Sequence, residues 1–319
     1  MQVNENVMPQ VMKDAIHAAE KPRILERPFE YSATVLCKSP RQVQLERRHK
    51  DTIKERPVST QWYSFYGSAI HDAIERAIKD NPRYVTERRI VRFDKPVNGK
   101  ESDYRRVGAK FDAYDIETKT LYDHKTTNTY IFGKEMKDEW ITQLMINAYF
   151  LEEEGYPVDY VAINAIYGDW RDTRLTYAKE GDYPLAPATE FRMKAWAQKD
   201  REYMYKSLLK EHIDAETVPD EQLPYCSTEY CWESKGKVAV YRPNAQKALR
   251  LLDTIEAAEK YIADNKLTGV LIKERPSTRM RCAKYCDASS VCDQYQAWLA
   301  SQPNKSSSCA EDEGAESES

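Results

Sequence analysis

The chain has 319 residues, 41% of them hydrophobic and 31% charged, with a formal net charge of −4. Apolar residues suffice for a core, no apolar run approaches a membrane span, and the N-terminus lacks a basic-then-apolar leader pattern. The expectation is a soluble, cytoplasmic, globular protein. The acidic total is also misleading: residues 306–319 hold five acids and no bases, and setting them aside leaves +1 for residues 1–305.

In chain order, residues 1–28 read as a polar arm. The segment 32–50 opens on Ser and Thr capping options and turns helical after Pro40. Across 66–79, apolar Ile70, Ala73, Ile74 and Ala77 recur at helical spacing and put His71 and Glu75 on a neighbouring face. Strand-like runs follow near 84–93, 105–114 and 118–125. A helix is expected over 138–154, ending at Gly155, and a buried strand over 159–167. This α-β-β-β-α-β order predicts an α/β core. Residues 187–213 and 243–265 have helical patterns, separated by a loop rich in Pro and Cys. From Pro303 the chain is Ser- and acid-rich without aromatics, an expected disordered tail. The organisation read from these boundaries is 1–28 arm, 29–180 core, 181–300 helical extension and 301–319 acidic tail. There is no internal repeat and no P-loop string, so an ATP-driven partner would be a separate chain.

Chemistry concentrates at YDHKTT, residues 122–127. Asp123 and Lys125 are two apart, so on a strand both side chains share a face. A turn at residues 115–119 would bring Asp112 beside Asp123. Two carboxylates and an ammonium on one face suit Mg²⁺ or Mn²⁺, with the lysine left to act on a water or a phosphate. Asp115 is the rival to Asp112, but three residues on it faces the other way. Glu87 reads as a polar strand residue. Basic residues cluster at Arg41, Arg47, Arg48, Lys50, Lys54 and Arg56, at Arg88, Arg89 and Arg92, and at Arg275, Arg279, Arg281 and Lys284. Such stripes permit phosphate binding without demonstrating it.

Taken in order, GSAIHDAIE (67–75), GAKFDAYD (108–115), YDHKTT and QLMINAY (143–149) resemble the RecB-like branch of the PD-(D/E)XK nuclease superfamily. That branch includes the nuclease domains of RecB and AddB, CRISPR-associated RecB-like exonucleases and phage-encoded relatives. The resemblance covers roughly residues 30–170, with a weaker one over 222–294. It implies a restriction-endonuclease-like α+β core, a mixed central sheet flanked by helices, and a C-terminal cysteine-ligated segment. It further implies a metal-dependent DNA exonuclease acting on ends or single strands, with a helicase, recombinase or CRISPR protein as partner. By that likeness Asp112 and Asp123 would hold the metal with His71 and the His124 carbonyl. Lys125 and Gln143 would complete the catalytic group, and Arg41, Arg47, Arg48 and Tyr149 would contact DNA. Two departures stand out. Ala109 occupies the usual glycine position, with Gly108 one place off, and Asn147 replaces the expected tyrosine, with Tyr149 two residues late.

Seven cysteines in a cytosolic chain argue for metal ligation or burial rather than disulfides. Cys282, Cys286 and Cys292 fall in RCAKYCDASSVC. In the relatives such a trio joins a distant cysteine to hold a 4Fe-4S cluster, with zinc the alternative. Cys226 is the first choice of fourth ligand, ahead of Cys231 and Cys37; the ligand position of the CPRQ-like string falls on Ser39, and Cys309 lies in the tail. Two other readings remain open: a catalytically silent DNA-binding or assembly module of the same fold, and a zinc-stabilised interaction protein.

Overall fold

The computed structural model describes residues 7–25, 30–53 and 58–302. Its elements run α1 (Gln10–Leu25), β1 (Tyr31–Ser32), α2 (Ala33–Leu36), α3 (Pro40–Arg48), α4 (Val58–Ile78), β2 (Tyr84–Thr86), β3 (Arg89–Asp94), β4 (Arg105–Lys110), β5 (Ala113–Asp115) and β6 (Thr120–Thr127). They continue with α5 (Asp138–Glu153), β7 (Tyr160–Tyr167), α6 (Asp172–Leu175), β8 (Ala188–Lys194), α7 (Gln198–Asp214), β9 (Glu233–Ser234), β10 (Lys237–Tyr241), β11 (Arg250–Leu252), α8 (Ile255–Asp264), β12 (Leu271–Arg275), β13 (Thr278–Arg279), α9 (Met280–Lys284) and α10 (Asp293–Ser301). Among the described residues no helix is long and apolar enough to cross a membrane.

Two compact units divide this chain, one within Asn6–Pro40 and Arg56–Val218, the other within Arg41–Glu55 and Pro219–Ser319. In the first, a five-stranded sheet has the order β2-β5-β6-β7-β8. β6 pairs in parallel with β7, while the other pairings are antiparallel. A parallel pair needs a crossover, and α5 supplies it. Its run Leu144–Leu151 is buried throughout, as expected of a helix that is mostly apolar all round. Val161, Ala162, Ile163 and Ala165 of β7 are fully buried in the same core. A second sheet, β1-β4-β3, joins β1 to β4 in parallel and β4 to β3 antiparallel. Ser32 caps α2 by accepting a hydrogen bond from the Val35 amide at 3.1 Å.

Several expectations are corrected here. The core runs past residue 180 to Val218, because β8 adds a fifth strand and the α7 residue Tyr205 packs on Phe150 of α5, ring centroids 5.2 Å apart. Residues 187–213 therefore begin as a strand, with burial alternating at every residue of β8, the mark of period two rather than 3.6. The arm expected over 1–28 contains α1, whose Ile16 is buried at 1% exposure. Residues 1–6 and 26–28 of that arm, Lys54, Arg56, Cys309 and positions 303–319 of the expected tail lie outside the described residues.

The second unit is not simply helical. An antiparallel sheet, β11-β10-β12, packs Val238 and Val240 against Ala258 of α8. Thr254 starts that helix by accepting from the Ala257 amide. Beside it, β9 and β13 form a short ladder followed by α9 and α10.

Candidate active site

The site grows out of one hairpin in the first unit. β5 and β6 pair Ala113 with Tyr122 and Asp115 with Thr120. One step beyond the ladder, this register puts Asp112 opposite Asp123. The turn between the strands is held by Asp115, whose carboxylate accepts from the Glu117 and Thr118 amides and from Arg83 at 2.6 and 3.0 Å. Burial raises the Asp115 pKa, but Arg83 and the turn amides outweigh it and hold the group below the usual carboxylate range. Asp115 thus builds the turn, and Asp112 faces the site. The strand-like run 105–114 is broken where it matters: Asp112 sits in a bend between β4 and β5.

From the other side comes α4. Gly67 lies against β6, where an added Cβ would meet the Thr126 hydroxyl at 3.0 Å. Absence of a side chain there lets the helix approach, and one turn later His71 reaches Asp112, Nδ1 to Oδ2 3.3 Å. The same Asp112 oxygen accepts from the His124 amide at 2.6 Å. Burial disfavours charge on His71, yet Asp112 and then Asp123 outweigh it and raise its pKa. Asp112 shows the reciprocal balance: burial raises it, and His71 with the His124 amide brings it below the ordinary value.

Glu87 was not singled out by its sequence context, and the structure adds it to the group. One ligand atom from each of His71, Glu87 and Asp112 lies within 4.8 Å of the others. Glu87 stands where β2 gives way to β3, with φ of 49°, a left-handed conformation uncommon for a residue with a side chain. Its amide donates to the Asp112 carbonyl at 3.0 Å, and its carboxylate ion-pairs with Lys110. A lone acid in a strand-like run carries no signal for this kink.

Asp123 and Lys125 meet as their spacing requires, Nζ to Oδ2 2.7 Å. Gln143 of α5 ties the two, accepting from Lys125 at 3.1 Å and donating to Asp123 at 2.9 Å. Burial pushes the Asp123 carboxyl up, with Lys125 opposing and Asp112 adding to the rise. The His124 ring points elsewhere: it is buried, contacts Asn164 at 3.2 Å and meets His71 edge-on at 5.8 Å. Desolvation, with repulsion from His71 and Lys125, lowers its pKa against the pull of Asp112. Cys37 shares this neighbourhood; burial, reinforced by Glu139 and Asp123 against Lys125, pushes its thiol up to about 12.

The expected DNA contacts separate. Tyr149 is 5% exposed and lies under the Arg92 guanidinium, 4.7 Å from its ring centre, so an apolar core claims it. Asn147 is fully buried and donates to the Lys110 carbonyl at 3.0 Å. In the second unit Arg41 is likewise buried: it donates to the Leu223 carbonyl at 2.7 Å and to Cys292 Sγ at 3.5 Å, and ion-pairs with Asp293. Neither Tyr149 nor Arg41 presents a surface to DNA. Arg47 and Arg48 are exposed, with Arg48 engaging Asp220 at 2.6 Å.

Within the second unit, Cys226, Cys282, Cys286 and Cys292 line one recess together with Arg41. Cys231, buried nearby, exchanges side-chain hydrogen bonds with Cys226 and Cys282. Burial, with Glu46 adding, pushes the Cys286 thiol up to about 12. The six described cysteines are all unbridged.

No family model matches the chain, and no curated protein does. Similar solved structures include SSO0001, at TM-score 0.45 and 14% identity, covering 63% of this chain and 86% of that one. An alkaline exonuclease (LHK-Exo) from Laribacter hongkongensis follows at TM-score 0.33 and 15% identity, covering 58% and 88% respectively. A phage-related exonuclease from Haemophilus somnus 129PT is similar at TM-score 0.22 and 12% identity, covering 65% and 83%.

Proposed function

We propose that the first unit is the catalytic core of a divalent-metal-dependent deoxyribonuclease of the PD-(D/E)XK, RecB-like kind. In this reading it is an exonuclease on DNA ends or single strands, working in phage or CRISPR-related DNA processing or recombination. One observation carries it: His71, Glu87, Asp112, Asp123, Lys125 and Gln143, scattered between positions 71 and 143 of the chain, converge on one polar cluster.

The donor set fits a divalent cation. An imidazole nitrogen and two carboxylates already lie within ligand-sharing distance, with Asp123 and the His124 carbonyl as further oxygen donors. Imidazole among the donors favours Mn²⁺ somewhat over Mg²⁺. When bound, such an ion supplies Lewis acidity at the phosphate and lowers the pKa of a coordinated water. The chain's own residues do the positioning. Asp123 and Gln143 hold the Lys125 ammonium in place, where it can orient the attacking water and stabilise charge developing on the phosphate. Asp112 fixes the His71 ring through its hydrogen bond.

The sulfurs of Cys226, Cys282, Cys286 and Cys292, gathered on one recess, fit a thiolate-bound cofactor. A 4Fe-4S cluster is the preferred assignment and zinc the alternative. Either would act as a staple for the second unit.

The deciding experiment digests end-labelled linear and circular substrates, single- and double-stranded, with Mg²⁺, Mn²⁺ or EDTA, using the parent and Lys125→Ala. Cleavage should require added metal, and Lys125→Ala should abolish turnover while DNA binding persists. Equal cleavage by Lys125→Ala would reject the site. Anaerobic purification should yield brown protein absorbing near roughly 400 nm; colourless protein with one zinc would keep the staple and reject the cluster.

A further inference from the structure

The β3–β4 hairpin rises from the candidate active site and has two unlike faces. Its register pairs Arg89 with Lys110 at the base and Asp94 with Arg105 at the far end. Directly opposed residues share a face, so Ile90, Arg92 and Asp94 stand with Ala109, Val107 and Arg105. That face is packed: Ile90, Ala109 and Val107 are buried, Arg92 lies 3.9 Å from the Phe150 ring centre and pairs with Asp94 at 3.2 Å.

The other face carries Arg89, Val91 and Phe93 opposite Lys110, Gly108 and Arg106. Phe93 is 68% exposed and Val91 37%. The Arg106 guanidinium lies 5.9 Å from the Phe93 ring centre. Beyond the last rung, Tyr104 is 40% exposed with the Lys95 ammonium 5.5 Å from its ring centre. At the base, Lys110 is ion-paired with Glu87 of the candidate metal group. The face is therefore an open aromatic–apolar surface edged by cations, and it begins at the site.

We infer that this outer face is a track for single-stranded nucleic acid leading into the site, with Phe93 as a base-stacking platform and Arg89 and Arg106 on the phosphates. Charge favours this occupant: the face carries Arg89 and Arg106 beyond the Glu87-paired Lys110, Asp94 is turned inward, and Glu30 lies at the margin, accepting from the Arg106 amide at 2.8 Å. Exposed rings beside guanidinium groups suit unpaired bases, whose π-faces are open, whereas a duplex hides them. From Arg89 to Phe93 is about 14 Å at the usual strand rise, the reach of about four stacked nucleotides at roughly 3.4 Å each. The inference rests on the nuclease reading and adds the surface along which the strand would run, with a preference for single strands longer than about four nucleotides.

The test compares the parent with Phe93→Ala, Phe93→Tyr and Arg106→Ala, all as full chains. Hydrolysis of bis(p-nitrophenyl) phosphate reports the site alone, and hydrolysis of single-stranded oligonucleotides of 2 to 12 residues reports the track. Phe93→Ala should raise KM for the long oligonucleotides roughly tenfold, the size of one lost base stack. It should leave dinucleotides and the small diester unchanged, and Phe93→Tyr should restore the parent value. Arg106→Ala should reduce the salt slope of oligonucleotide binding by about 0.7, one phosphate's worth. A Phe93→Trp variant gives a direct readout, since a stacked base should quench its indole. An unchanged KM for long oligonucleotides, or no quenching at saturating oligonucleotide, overturns the track. So does an equal effect on blunt duplex, or a concentration-dependent dimer that Phe93→Ala dissolves without weakening binding, which would make the face an interface between copies. Absence of hydrolysis of every substrate, with Phe93-dependent binding intact, instead overturns the nuclease reading and leaves the track standing.

Discussion

Arg41 offers the sharpest test of burial against charge. Its guanidinium is inaccessible, so Arg41→Ala removes, besides a long contact to Cys292 Sγ at 3.5 Å, three things of weight. The first is a charge-assisted hydrogen bond to the Leu223 carbonyl at 2.7 Å, worth about 1.5–3 kcal/mol for a buried acceptor left without its donor. The second is the Asp293 pair, whose carboxylate is 50% exposed; water can replace the cation there, so this adds about 0–1 kcal/mol. The third is the packed alkyl stem, about 1–2 kcal/mol. Together they predict a loss of about 2.5–6 kcal/mol in the second unit. For a unit of this size each kcal/mol lowers Tm by about 4 °C, so a drop of about 10 °C or more is expected in a thermal melt followed by circular dichroism. Arg41→Lys should recover little, because an ammonium cannot span Leu223, Cys292 and Asp293 with one planar fork. A Tm within about 2 °C of the parent, accompanied by a large loss of DNA affinity, would refute this account and return Arg41 to the binding surface.

Asp115→Ala should destabilise the hairpin by about 1–3 kcal/mol through loss of the Arg83 and turn contacts, with kcat of the folded fraction unchanged; a collapse of kcat at intact fold would make Asp115, not Asp112, the ligand. Glu87→Gln should weaken Mn²⁺ binding by roughly tenfold or more, read by isothermal titration, and an unchanged affinity would remove Glu87 from the site. His71 carries a raised pKa in the metal-free protein, so its stabilising pair with Asp112 is fully present below about pH 6.5, the unfolded value, and fades as pH rises through the folded one. If Mn²⁺ binds as proposed it displaces that proton: calorimetry in buffers of different ionisation enthalpy should find proton release near pH 6 that falls at higher pH, and His71→Ala should reduce the release by most of one proton per ion.

Much of this site is legible in the chain because its chemistry follows local periodicities. Asp123 and Lys125 meet because strands alternate, and His71 arrives because helix 66–79 is amphipathic and Gly67 permits its approach. Glu87 escapes such reading: its place depends on a single left-handed residue interrupting a run that looks like one strand. Arg41 and Tyr149 mislead for the opposite reason. Arginine and tyrosine are amphipathic, and only tertiary packing decides whether the polar tip or the apolar body meets water. β8 is hard to read as a strand because it pairs along β7 while none of its own side chains is fully buried, so its apolar alternation is weak.

The four-residue turn at 116–119 has a consequence for how this protein tolerates change in length. β6 is clamped on both sides, antiparallel to β5 and parallel to β7. Deleting or inserting one residue in that turn would slide β6 by one position against a partner and exchange the faces of its side chains. His124 would then stand where Asp123 and Lys125 now point, and the cluster would be lost although every residue of it remained. The tip joining β3 to β4, residues 95–104, answers to no such constraint, since neither flanking rung fixes a group of the cluster. Natural or engineered insertions should therefore accumulate at that tip and be purged from the turn, a pattern that random indel libraries scored for cleavage would expose directly.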